Sequence, residues 1–192
     1  MNYGIYKNVR DSSWQCLLDA GITELPVSVV KIAEHFDVKL VKNSHRNWLT
    51  PCQSGISIMT EDGTWIICYD DNDSMERIRF TIAHELGHIL LGHPLREGFV
   101  HTRTIAKERP QVESEADMFA ARILAPACVL WALDLHTAEE IANVCKISYA
   151  AAQVRVDRMK ILYERNKFLA SPLEKELFGR FSKFIEENKN RR

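Results

Sequence analysis

Apolar residues recur along this chain at two periods, and the switches between them mark out its elements. After Pro26, the residues Val29, Val30, Ile32, Ala33 and Phe36 fall at helical spacing, with Pro26 assigned to the first turn. Residues 38–41 (VKLV) then read as a strand. Two further β-rich runs, SGISIM (54–59) and TWIICY (64–69), flank Glu61-Asp62-Gly63 and predict a hairpin. Asp73 or Ser74 can cap a helix that begins MERIRF and runs to Gly92, with Pro94 as its stop. Residues 94–110 have no clear period and are long for a structureless connection, which predicts a functional or mobile loop.

Pro110 opens the next helical pattern, VESEADMFAARIL, and Pro126 closes it. Thr137 and Glu140 have capping-box spacing at the head of TAEEIANVC, and a turn at 146–148 leads into YAAAQVRVDRMKILYERN. That pair reads as a helix-turn-helix. From Ser171, the residues Leu173, Leu177, Phe178, Phe181, Phe184 and Ile185 predict one amphipathic tail helix, docked on the body or used for self-association. The fold class expected is α+β, with helices packed on a small sheet and a helical, helix-turn-helix-like C-terminal segment. The division expected is 1–130 for the core and 131–192 for that segment.

At 192 residues the chain can bury one substantial core, and 46% apolar with 27% charged residues is ordinary for a globular protein. Lys plus Arg is 25 against 26 for Asp plus Glu, so no overall positive field drives nucleic-acid binding. The opening MNYGIYKNVR lacks a signal peptide's apolar core, and no apolar run approaches the ~20 residues that span a bilayer. Cys16, Cys52, Cys68, Cys128 and Cys145 are odd in number, widely spaced and expected to be reduced, with Cys68 and Cys145 as small core residues. A cytoplasmic protein without membrane association is expected.

The chemistry concentrates in TIAHELGHILLGH. His84 and His88 stand one helical turn apart and can grip one ion, and Glu85 lies between them. Ile78, Ile82, Leu86 and Ile89 cover one side of the helix while Phe80 and Leu91 lie near the histidines. Imidazoles and a carboxylate in so apolar a helix are costly unless paired or metal-bound. Catalytic zinc takes three protein ligands plus water, and the candidates for the third are His93, His101, Glu113, Glu115 and Asp117.

Helix geometry separates them. At 100° per residue, Glu113 and Asp117 share a face with Ala116, Ala120, Ile123 and Leu124, whereas Glu115 points away beside Arg122 and reads as solvated. Glu113 is therefore taken as the ligand, and Asp117 as an acceptor that fixes the tautomer of a zinc histidine. The metzincin pattern is absent, because Leu91 and Pro94 stand where it needs Gly and His, and His93 is assigned to the helix end or cleft rim. One zinc ion per chain is expected, with Glu85 as general base. Tyr149, Tyr163, Arg155 and His101 are unranked candidates for stabilising the oxyanion. TWIICY reads either as a strand to which an extended peptide could add or as an ordinary core strand.

FTIAHELGHILLGH and ESEADMFAARILAP resemble the ImmA/IrrE family of metallopeptidases, which pair an HExxH helix with a later E-x-x-A-[ND]-x-F-A-A helix. The likeness extends over roughly residues 20–160. It implies a thermolysin-like core, zinc held by His84, His88 and Glu113, and Glu85 as base. It also implies an anti-repressor role, in which a helix-turn-helix transcriptional repressor of a mobile element, prophage or stress response is cleaved.

Two other classes compete. A metal-bound anti-repressor that recognises without cutting would use the same residues except Glu85. A DNA-binding regulator would use EEIANVCKISYAAAQVRVDRMK, but Thr137 to Asn166 carries five Lys or Arg against four Asp or Glu, weak for a phosphate-binding face. Packing through Val154, Val156, Met159, Ile161 and Leu162 is the expectation for that second helix.

Overall fold

The computed structural model describes residues 3–93 and 111–189. The 94–110 connection, with Pro94, His101 and Pro110, lies outside the described residues. Within them the protein is a mostly helical α+β structure with one three-stranded sheet.

The chain opens with helix α1 (Tyr3–Asp19), which the periodicity does not announce. Its buried side, Val9, Ser13, Trp14, Cys16, Leu17 and Leu18, mixes a serine into the core face. Helix α2 (Val29–His35) starts three residues later than its proline suggests. Ser28 is the N-cap, accepting from the Lys31 N–H at 3.2 Å, and Pro26 lies before the helix rather than in its first turn.

Strands β1 (Val38–Lys42), β2 (Gly55–Met59) and β3 (Trp65–Tyr69) form a sheet of order β1-β3-β2. The hairpin pairs β2 antiparallel to β3, with Ser57 opposite Ile67, while β1 runs parallel to β3, with Leu40 opposite Ile67. TWIICY is therefore the central strand, hydrogen-bonded on both sides, and cannot accept an added peptide. β2 is an edge strand of the sheet.

Helix α3 (Met75–Leu90) is capped by the Ser74 hydroxyl, which accepts from the Arg77 N–H. It buries Thr81, Ile82, Ala83, Glu85, Leu86, Gly87 and His88 between the sheet and helix α4 (Gln111–Leu124). α1 covers α4 from the far side. The short helix α5 (Ala127–Ala132) follows Pro126, and every residue of ACVLWA except Trp131 is buried.

Helix α6 (Ala138–Cys145) carries the full Thr137–Glu140 capping box and ends at Lys146 in a left-handed conformation. Helix α7 (Tyr149–Glu164) packs on α6 through Ala152, Val156 and Met159, whereas Val154 is 64% exposed and is not part of that packing. The Arg79 guanidinium, from α3, donates to the carbonyls of Cys145 and Lys146, both at 3.2 Å, and so caps the end of α6. The tail forms two helices, α8 (Pro172–Arg180) and α9 (Ser182–Lys189), broken at Phe181. Leu177, Phe181 and Ile185 are buried, and α8 packs against α1, so the tail docks on the body. All five cysteines are free thiols, and among the described residues no helix is long and apolar enough to cross a membrane.

Candidate metal centre

The site is made where α3 and α4 cross, and Gly87 sets how closely they do so. A Cβ at position 87 would lie 3.2 Å from the Ala116 Cα and from the Phe119 ring, and 3.3 Å from the Ala116 carbonyl. Hydrogen is the only side chain that this approach accommodates without displacing α4. That closeness brings Glu113, in the first turn of α4, up to the two histidines of α3.

His84 Nε2 and His88 Nε2 are 3.0 Å apart, and Glu113 spans them, with Oε2 3.5 Å from His84 and Oε1 3.5 Å from His88. The three ligand atoms lie within 4.8 Å of one another. Donors about 2.0–2.2 Å from one tetrahedral zinc ion stand roughly 3.4 Å apart, so the spacing fits a single ion. The polarity fits as well. His84 Nδ1 lies 2.8 Å from Asp117 Oδ1, and a carboxylate only accepts, so the neutral ring carries its proton there and turns the Nε2 lone pair toward His88 and Glu113.

Lone pairs and a carboxylate gathered with side-chain exposures of 13%, 3% and 16% repel one another unless a cation lies among them. Without a cation at the centre, a proton takes its place: burial opposes the charging of His84, but hydrogen bonds to Asp117 and Glu113 and the charge of Glu85 outweigh that and push it up to about 9.

Glu85 is buried, and the Ser57 hydroxyl of β2 donates to its Oε2 at 2.5 Å. It lines a cleft with His84 and Glu113, whose walls include Ser54 and Gly55 at the start of β2, and Arg77 and Phe80 from α3. Sequence reasoning passed over Ser57 and Arg77. Arg77 stands two helical turns before His84 and so shares its face, a legible signal; its guanidinium bonds Ser54 Oγ at 2.7 Å and Asp73 Oδ2 at 3.0 Å. Ser57 reaches Glu85 only through the packing of β2 on α3, which spacing does not reveal.

Other expectations change. Glu115 is not a solvated surface residue: its side chain is 15% exposed and its Oε2 lies 3.2 Å from His93 Nε2. His93 stands just past the end of α3, as expected, but does not line the cleft; its side chain is 7% exposed and its Nδ1 sits 3.0 Å from His88 Nδ1. Tyr149, Tyr163 and Arg155 do not line this cleft. Tyr163 instead packs on Phe168 and His136, with ring centroids 5.0 and 5.2 Å apart.

A buried His-His-Glu cluster beside a further glutamate, on crossed helices over a small sheet, defines a metallopeptidase-like domain. The chain belongs to the peptidase M78 family, whose model, described as the IrrE N-terminal-like domain, matches residues 28–157. That stretch contains α3, α4, the sheet and most of α7. No curated protein matches the chain.

Proposed function

We propose that this protein is a zinc-dependent endopeptidase with a thermolysin-like arrangement of its active-site helices, acting in the cytoplasm on a protein substrate. Residues 1–130 form the peptidase core in this reading, and 131–192 a helical segment packed on it. His84, His88 and Glu113 hold one zinc ion, and Asp117 fixes the His84 ring. The observation that carries the proposal is the buried convergence of those three ligands beside Glu85 and an edge strand.

When bound, zinc supplies Lewis acidity toward the scissile carbonyl and the attacking water. Glu85 takes the proton from that water at a carboxylate oxygen and delivers it to the leaving nitrogen. The Ser57 hydroxyl holds the carboxylate in place, since a carboxylate free to rotate would lose the alignment that makes the transfer fast. An extended peptide adds to the edge strand β2, whose first residue, Gly55, lines the cleft, and β3 is closed to this role. Arg77 brings a positive charge to the same wall.

The substrate proposed is a helix-turn-helix transcriptional repressor of a mobile element, prophage or stress response, on the strength of the motif resemblance. Elemental analysis of protein purified without added metal, followed by incubation with a repressor encoded beside it, tests the reading. About one zinc per chain is expected, lost in His84→Ala and Glu113→Ala, kept in Glu85→Ala, with cleavage by the wild type alone. A metal-free wild type sinks the proposal. Repressor inactivation that survives in Glu85→Ala replaces the peptidase with a binding module that needs no cut.

A further inference from the structure

The two histidines of the centre are backed differently. His84 has a carboxylate directly on its Nδ1, whereas the Nδ1 of His88 faces another imidazole, His93, at 3.0 Å. This contact follows from the way α3 ends. Gly92 adopts φ +66°, and its N–H bonds the Ile89 carbonyl while the next N–H, of His93, returns to the His88 carbonyl at 3.0 Å. This is the six-to-one clasp of a Schellman turn, and it folds residue 93 back over residue 88.

The direction of each hydrogen bond along the chain can be worked out from its far end. Glu115 accepts from the Gln111 amide at Oε1 and lies 3.2 Å from His93 Nε2 at Oε2. A carboxylate has no proton to give, so His93 donates from Nε2 and, as a neutral ring, leaves Nδ1 bare. A bare Nδ1 at 3.0 Å from His88 Nδ1 requires His88 to donate there. The His88 proton is thus held on Nδ1, and its lone pair is left on Nε2, the atom that faces Glu113 and His84.

We propose that Glu115 and His93 form a relay that locks the tautomer and ring orientation of His88, making both positioning residues for the second histidine of the metal centre. The inference rests on the zinc reading of His84, His88 and Glu113 and extends it to two residues that touch neither ion nor substrate. Three carboxylates of one helix then have three tasks: Glu113 on the ion, Asp117 behind His84, and Glu115 behind His88 through His93.

Long-range proton–nitrogen correlation spectra of the zinc-loaded wild type test the polarity without any substitution. Expected are His88 with its proton on Nδ1 and His93 with its proton on Nε2; a His93 protonated on Nδ1 alone overturns the relay. Chelator competition tests its contribution to zinc affinity. His93→Phe should bind zinc about 10- to 100-fold more weakly, and His93→Gln, whose carbonyl oxygen can accept from His88, should recover most of that loss. Glu115→Gln keeps the shape of the side chain and should lose several-fold.

Equal affinity in all variants overturns the inference, as does a His93→Gln as weak as His93→Phe, since packing alone would then explain the position. Should His93→Phe fail to fold, the wild-type spectra and Glu115→Gln still decide. A wild type that binds no zinc defeats the underlying reading instead, and does so before any variant is compared.

Discussion

Two helix pairs in this protein are built on opposite rules. The α6–α7 pair buries Ile141, Cys145, Ile147, Ala152, Val156 and Met159, and settles its polar ends with a capping box and a left-handed Lys146. The α3–α4 pair crosses at Gly87 and buries Glu85, His88 and Arg122 among Leu86, Phe119 and Ala120. The first arrangement is complete without any ligand. The second gathers imidazoles and carboxylates where water cannot compensate them, an arrangement that a bound cation stabilises. A helix pair that concentrates polar groups at its closest approach is therefore where chemistry is to be sought, and a cleanly capped apolar pair is not.

The strongest way to break this contrast is Gly87→Val. Its branched side chain would meet Ala116 and Phe119, and overpacking of about 1–3 kcal/mol or more is expected. Zinc affinity should fall with stability, because α4 must move and Glu113 moves with it; urea unfolding and chelator competition on one preparation check both. Thr137→Ala is the control on the other pair. Loss of its cap should cost about 1 kcal/mol of unfolding free energy with zinc affinity unchanged. A change in metal affinity there would show that the two pairs are not independent.

Ser57→Ala sharpens the role of Glu85. Removing one hydrogen bond of roughly 1 kcal/mol should lower the cleavage rate about fivefold through kcat, with zinc content unchanged.

The smallest effect expected concerns Glu174, a buried carboxyl away from the metal centre, with the charge of Arg10 nearby. Burial pushes its pKa up, against the backbone N–H of Ala170, which donates to it at 2.9 Å. The folded state therefore favours the neutral acid. That contribution is present below the ordinary value of 4.5 and is lost as pH rises through the raised one. Glu174→Gln should flatten the dependence of stability on pH across that window, read by urea melts at several pH values.

Much of the centre was legible because it violates a pattern. His84, His88, Glu113 and Asp117 are polar residues at helical positions otherwise given to core side chains, and such exceptions can be read from spacing alone. Glu115 was not legible. Its helix face points toward solvent until the Gly92 turn lays His93 over it, a contact that no periodicity contains. The hairpin was readable from its turn residues, but the parallel β1 that makes β3 central was not, and so TWIICY was open to the wrong use.

Helix α1 escaped because its buried face includes Ser13, and α5 because a short, evenly apolar run has no period to detect. The tail was read as one helix because Phe181 continues the apolar spacing across the break between α8 and α9.

The bond from Arg79 to the end of α6 bears on how this protein can be divided. A fragment ending before α6 would keep the guanidinium of α3 but lose both carbonyls that receive it. A transplant or minimised version of the peptidase should accordingly carry the chain at least through Lys146. For a gene engineer, the cut then belongs beyond Lys146 and not ahead of α6.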